Sequence, residues 1–338
     1  MARSSLKLLV FAALICVTTA SQLLAQAPGR QARGLFGDWL IKSDFNGRQM
    51  ESILSFGRDA DGNQTAALIS LFGVNELQDV SYTDGTLKFA WVIPTQQGET
   101  RTSQFTGTIA EGALTGAFSG EMGEIKVTGE RAPRMPMICG DWLMKSTMGE
   151  REITSTLEIR ADEEGALKGV WKSRRGESEV TDLNYERGTL TFKRSVTFQE
   201  NTWESTFEGT FNREGTITGA FKSDRGEIAV EGTRIGADLI GTWNLEIASE
   251  MGARKQRLRV NPDLSALYGS LPVEKVTLEE NAVSFKVVTT FGENSFEMDF
   301  AGTIADGKLT GELTTTRGTQ KVTGEKVVRN FPRRPAQQ

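Results

Sequence analysis

The residues of this chain best placed to do chemistry are two pairs of tryptophan and arginine. Trp91 keeps the phase of Leu87 and Phe89, and Arg101 keeps the phase of Phe105. About one hundred residues on, the types exchange: Arg194 follows Leu190 and Phe192, and Trp203 precedes Phe207. A third occurrence reads Val287 and Phe296. An exchange that keeps the chemistry predicts two positions facing each other across one hairpin, where such a pair contributes roughly 0.2–1 kcal/mol. Two readings stand. The pair is a structural stack, or the arginine meets the acidic head of an apolar ligand while the tryptophan walls the cavity.

Other chemistries have less to work with. The chain contains no histidine, which excludes Ser-His and Cys-His nucleophile systems and histidine-bearing zinc sites. Glu204, Glu208, Glu297 and Asp299 alternate with apolar positions, so they are expected to face water. No two acids share an inward phase, where desolvation could raise a carboxyl for general-acid work. Metal-ligand spacings, phosphate-cradling glycine loops and a nucleophile elbow are absent. No catalytic residue, metal or cofactor is therefore assigned, and the chain is read as a non-enzyme, with a carboxylate-based enzyme as the last alternative.

The N-terminus reads as a secretory signal over residues 1–27. Arg3 and Lys7 precede the apolar run Leu8 to Val17, and Ala25-Gln26-Ala27 supplies a small-residue exit, with Thr18-Thr19-Ala20 as a second choice. That run is too short to span a bilayer, and no other stretch approaches the roughly 18 apolar residues required. Removing it takes away two positive charges, so the net charge goes from −5 to −7. An acidic chain is a poor match for nucleic acid or an anionic membrane surface. The expected location is periplasmic or extracellular. Of two cysteines only Cys139 remains after cleavage, so no internal disulfide forms; beside Gly140, it reads as a small buried apolar residue.

Three landmarks recur in order. Gly37-Asp38-Trp39, Gly140-Asp141-Trp142 and Gly241-Thr242-Trp243 each open a unit. Phe105-Thr106-Gly107, Phe207-Glu208-Gly209 and Phe300-Ala301-Gly302 follow, and Gly129-Glu130-Arg131, Gly232-Thr233-Arg234 and Gly324-Glu325-Lys326 close. Trp39 to Trp142 is 103 residues and Trp142 to Trp243 is 101, but Phe192 to Phe285 is only 93. The third unit has thus lost about eight residues between Val260 and Phe285. The order is three repeats over 34–131, 138–234 and 239–328, then a disordered tail over 329–338.

Within a unit the period is two. Trp203, Ser205, Phe207, Gly209 and Phe211 share one face, against Thr202, Glu204, Thr206, Glu208 and Thr210 on the other, which is the pattern of a half-buried strand. Turn pairs such as Asp84-Gly85, Glu111-Gly112 and Asp306-Gly307 break the chain between such runs. About eight short strands per unit result, with no helix beyond the signal. Closing them into an antiparallel up-and-down barrel hides their edges. The expected fold is therefore all-β, three such barrels in tandem; open or two-sheet sandwich units are the alternative. Glycines such as Gly107 and Gly116 inside strands mark either a tight bend or close packing against a large side chain, with a ligand contact as the lesser reading.

A Gly-x-Trp on the first strand with a basic residue ending the last one resembles the lipocalin and calycin-like barrels. The resemblance implies that a tryptophan closes each barrel floor under a packed cation: Trp39 with Arg131, Trp142 with Arg234, and Trp243 with Lys326. The C-terminal helix and further motifs of lipocalins are missing, and the units are closer in size to compact avidin-like or bacterial lipocalin-like modules. The family implies a small apolar or amphipathic ligand inside at least one barrel. The competing reading has filled barrels that bind a protein or polysaccharide partner through their outer faces.

Overall fold

A computed structural model describes residues 34–327 apart from 46, 60, 95–98, 122, 199–200, 213–214, 250–251, 274–275 and 292–293. The signal and tail expected at 1–27 and 329–338 lie outside the described residues. Every strand or helix element in it is a β-strand. Hairpin by hairpin, the eight strands from Gly37–Phe45 to Gly123–Arg131 close into one antiparallel barrel, and those from Gly140–Met148 to Gly226–Arg234 close into a second. The turn pairs explain why the strands stay adjacent. Asp84-Gly85, Glu111-Gly112 and Asp306-Gly307 have positive φ at both residues, the type I′ geometry whose twist matches that of the flanking strands.

The third unit, from Gly241–Ile247 to Gly318–Lys326, departs from the expected closed barrel of eight: its nine strands form a nearly closed barrel whose edge strands, Leu271–Val273 and Val276–Glu279, do not pair with each other. Leu271–Val273 pairs with Ala266–Tyr268, while Val276–Glu279 pairs with Ala282–Phe291. The two short strands together take the place of one fourth strand. The eight residues missed by the sequence spacing fall here. The third strand has 7 residues in the first two barrels but 3 in the third, which leaves a notch in the upper wall.

The first barrel fills that notch. Its hairpin between Gln64–Ser70 and Gly73–Thr83 brings Leu71 against the core of the third barrel. The buried Gln256 amide donates to the carbonyls of Ser70 and Leu71, both at 3.1 Å. Around this contact, the outward side chains Ile53, Ala67 and Ile69 form a second apolar cluster on the first barrel, with Leu267 of the third packed against it. Asp38 accepts from Arg259 at 3.0 Å and from Ser55 at 2.7 Å, a part-buried ion pair across the same contact. The second barrel meets the third at its floor, where Arg234 donates to the Pro262 carbonyl at 3.4 Å.

Candidate functional site

Each barrel floor is built the same way. Trp39, Trp142 and Trp243 are fully buried, and each indole N–H donates to the carbonyl four residues back, Leu35, Ile138 or Leu239, at 2.8–3.0 Å. The register sets Arg131, Arg234 and Lys326 directly opposite these tryptophans. Their charges sit 4.5, 4.1 and 5.5 Å from the indole centroids. Arg131 also donates to the carbonyls of Phe36 and Gly34, Arg234 to those of Cys139 and Met137, and Lys326 to that of Asp238. Burial pushes the Arg234 guanidinium down to about 10, so it stays protonated at neutral pH. A cation held over an indole with backbone acceptors around it is a structural plug.

Cys139 lies in the second plug, fully buried and unpaired. Burial, with the Asp263 charge second, raises its thiol from 9.0 to about 11. Folding therefore favours the protonated thiol; that contribution is fully present below pH 9 and fades as pH rises towards 11. A disulfide reagent at pH 8 is expected to leave the folded chain unmodified and to label one thiol after denaturation; fast labelling of the folded protein would contradict a closed floor.

Above the floors each interior carries a stacked phenylalanine pair. Phe89 stacks on Phe105, Phe192 on Phe207 and Phe285 on Phe300, with centroids 4.6–4.7 Å apart. Phe118 and Phe221 close edge-on against the first two pairs. The in-strand glycines account for the space these rings need. A Cβ on Gly107 or Gly116 would come within 2.7 Å of the Phe105 ring, and one on Gly219 within 2.8 Å of Phe207.

The tryptophan–arginine positions are not directly opposite each other. Trp91 pairs with Ser103 and Arg101 with Ile93; Arg194 pairs with Ser205 and Trp203 with Val196. They stand one step apart on the ladder, and each finds another partner. Trp91 meets the edge of Phe118 at 5.8 Å, and the exposed Arg101 pairs with Glu121 at 3.5 Å. Arg194 lies over Trp171 at 4.8 Å and donates to Ser178 at 3.3 Å, while Arg225 covers Trp203 at 4.9 Å. The sequence reading missed Trp171. Its alternation with Gly169 on the inward phase was the available signal, since inward side chains at one level meet across a barrel as well as along a hairpin. Glu204, Glu208, Glu297 and Asp299 face solvent, as their phase implies.

One concave feature lies between barrels rather than inside one. A cleft of about 970 Å³ runs between the first and third barrels. Arg58, Gln64, Thr65 and Glu76 line one side; Asn244, Glu246, Lys308, Thr310, Thr323 and Glu325 line the other. Acids and bases both line it. Glu76 pairs with Lys255 at 3.5 Å, and Asp59 is held below the usual carboxylate range by the Asn63 side chain. Among the described residues, no group of three or more His, Cys, Asp or Glu is placed to hold a metal, and no helix is long and apolar enough to cross a membrane.

These features define a class: a chain of small antiparallel β-barrels in tandem, each closed at its floor by a tryptophan–cation plug. No family model and no curated protein matches it. Among solved structures it is similar to a proposed outer membrane protein of Bacteroides fragilis, at 12% identity over 88% of this chain and 99% of that one, with a TM-score of 0.23. It is also similar to a transferrin binding protein B double mutant of Haemophilus parasuis (11% identity, 87% and 76% coverage, TM-score 0.20). A third is the endo-1,5-alpha-L-arabinanase of Thermotoga petrophila (11% identity, 71% and 84% coverage, TM-score 0.21). Likeness at this level carries no functional argument.

Proposed function

We propose that this protein is an exported, non-enzymatic binding protein that acts through the outside of its barrels and holds a polar segment of a protein partner in the cleft between the first and third. The carrying observation is where space and polar groups coincide. Stacked phenylalanines lie in the barrel interiors where an apolar ligand would sit, whereas the cleft offers about 970 Å³ walled by hydroxyls, amides and charges of both signs among apolar side chains such as Val74, Leu77, Leu245 and Leu309. That volume lies in the range of binding sites, and such walls suit the alternating donors and acceptors of an extended peptide. The plugs support a lipocalin-like descent for the barrels. The apolar run at Leu8 to Val17 supports export.

Peptides selected from a random displayed library on the mature protein test the reading. Thr310→Trp and Thr65→Trp place bulk in the cleft and are expected to weaken selected peptides on the order of tenfold. Thr206→Trp, on the outer face of the second barrel, should leave them unchanged. Selected peptides indifferent to both cleft substitutions would overturn the proposal.

A further inference from the structure

The mouth of the second barrel holds a group that the cleft does not involve. Arg194 sits among Trp171, Phe221 and Ser178, with its guanidinium 4.8 Å from the Trp171 centroid and 5.9 Å from that of Phe221. Its Nε donates to Ser178. Among the described residues no carboxylate comes within ion-pair distance of it, whereas Arg101, Arg160 and Arg259 each have one. Burial, followed by the charge of Arg175, pushes the guanidinium below its usual range. Taking an unpaired cation out of water is costly.

Packing does not require that cation. The first barrel fills the equivalent position with Trp91, which packs against Phe118, the counterpart of Phe221. Trp171 is 4% exposed, and its Nε1, like that of Trp91 in the first barrel, is buried without an acceptor. Trp203, under Arg225, forms a further aromatic wall on the inward phase of the same barrel. A half-buried guanidinium between aromatic faces, with open donors and no acid, is arranged for an incoming acid.

We infer that the mouth of the second barrel binds a carboxylate carried on a small apolar or aromatic body, with Arg194 as the anchor. The carboxylate takes the guanidinium edge that no protein acid occupies. The body lies against the indoles, above the phenylalanine layer rather than within it. Arg194 covers the Trp171 face, so an anion that draws the guanidinium outward changes the indole's surroundings.

Titration of the full mature protein with sodium benzoate, followed by calorimetry and tryptophan emission, tests the assignment. Benzoate is expected to bind and to shift the emission, while benzyl alcohol of the same shape does not. Arg194→Gln should weaken benzoate roughly tenfold to a hundredfold, and Arg194→Lys, which keeps the charge but not the fork, should fall between. Trp171→Phe should abolish most of the emission change while retaining binding. Three results would each overturn the proposal: no benzoate binding at 10 mM, benzyl alcohol binding equally well, or folded Arg194→Gln binding benzoate within twofold of the parent. Inorganic phosphate competing as well as benzoate would overturn the carboxylate assignment in favour of a general oxyanion site. The comparison with benzyl alcohol needs no variant, so it stands if Arg194→Gln fails to fold.

Discussion

Trp142→Ala is expected to lower the stability of the second barrel by about 4 kcal/mol. The indole is fully buried, its N–H donates to Ile138 at 3.0 Å, and it lies 4.1 Å beneath the Arg234 guanidinium and 5.6 Å from the Phe211 ring. Alanine removes the ring and its dispersion contacts, leaves the Ile138 carbonyl without its donor, and uncovers a cation whose burial the indole face partly offsets. Trp142→Phe retains most of the volume but not the N–H, and should cost about 1–2 kcal/mol. Urea unfolding gives both values. Cys139, in the same plug, is a local reporter whose labelling should accelerate in step. A loss below about 1 kcal/mol for the alanine variant would mean that the plug is a bystander to a barrel held by its phenylalanine layer.

The second large effect concerns the notch. Gly269 has φ of 63°, and a Cβ there would lie 2.5 Å from the Ser70 carbonyl of the first barrel and 3.1 Å from the Gln256 amide. Gly112 has φ of 82° with nothing within 4 Å. Alanine at Gly112 therefore incurs the left-handed backbone strain alone, about 1–2 kcal/mol. At Gly269 it also drives the first barrel's hairpin out of the third barrel's wall, for a total on the order of 3–4 kcal/mol. Gly269→Ala should split thermal unfolding into separate transitions, enlarge the molecule in small-angle scattering, and speed cleavage beside the exposed Phe72. Equal losses for the two alanines would show that the hairpin only touches the notch.

How far the sequence revealed this molecule depends on where each contact lies along the chain. The plugs were legible only through the resemblance to lipocalin-like barrels, carried by a Gly-x-Trp and a closing basic residue that recur three times. The phenylalanine layer was only half legible, since Gly107 and Gly116 inside strands fit a tight bend as well as a large neighbouring ring. The Trp91, Arg101, Arg194 and Trp203 positions were expected to face each other across hairpins, but the ladders set them off register, and Arg101 is exposed although it keeps the phase of Phe105. Phase says which side chains point inward, not which of them meet across the interior. The missing eight residues in the third repeat were also visible, but not what replaces them. The sign was in the turns: Ser70-Leu71-Phe72-Gly73 is apolar where the second repeat reads Ser173-Arg174-Arg175-Gly176. A turn tip of leucine and phenylalanine on a hairpin is out of place in water. Contact between barrels leaves no periodic mark, so only such misfits announce it.

That docked hairpin also sets a timetable. The Gln256 amide and its acceptor in Ser70 are 186 residues apart, and Arg259 and Asp38 are 221 apart. If the chain is threaded through a membrane from its N-terminus, the first barrel can close long before its cover arrives. In the interval Leu71, Ile69 and Ile53 form an uncovered apolar face on a finished domain. The second barrel, with arginines at the same turn, has no such period of exposure. Aggregation during biogenesis should therefore concentrate on chains interrupted between the second and third repeats, and a holding chaperone would find its binding site on the first.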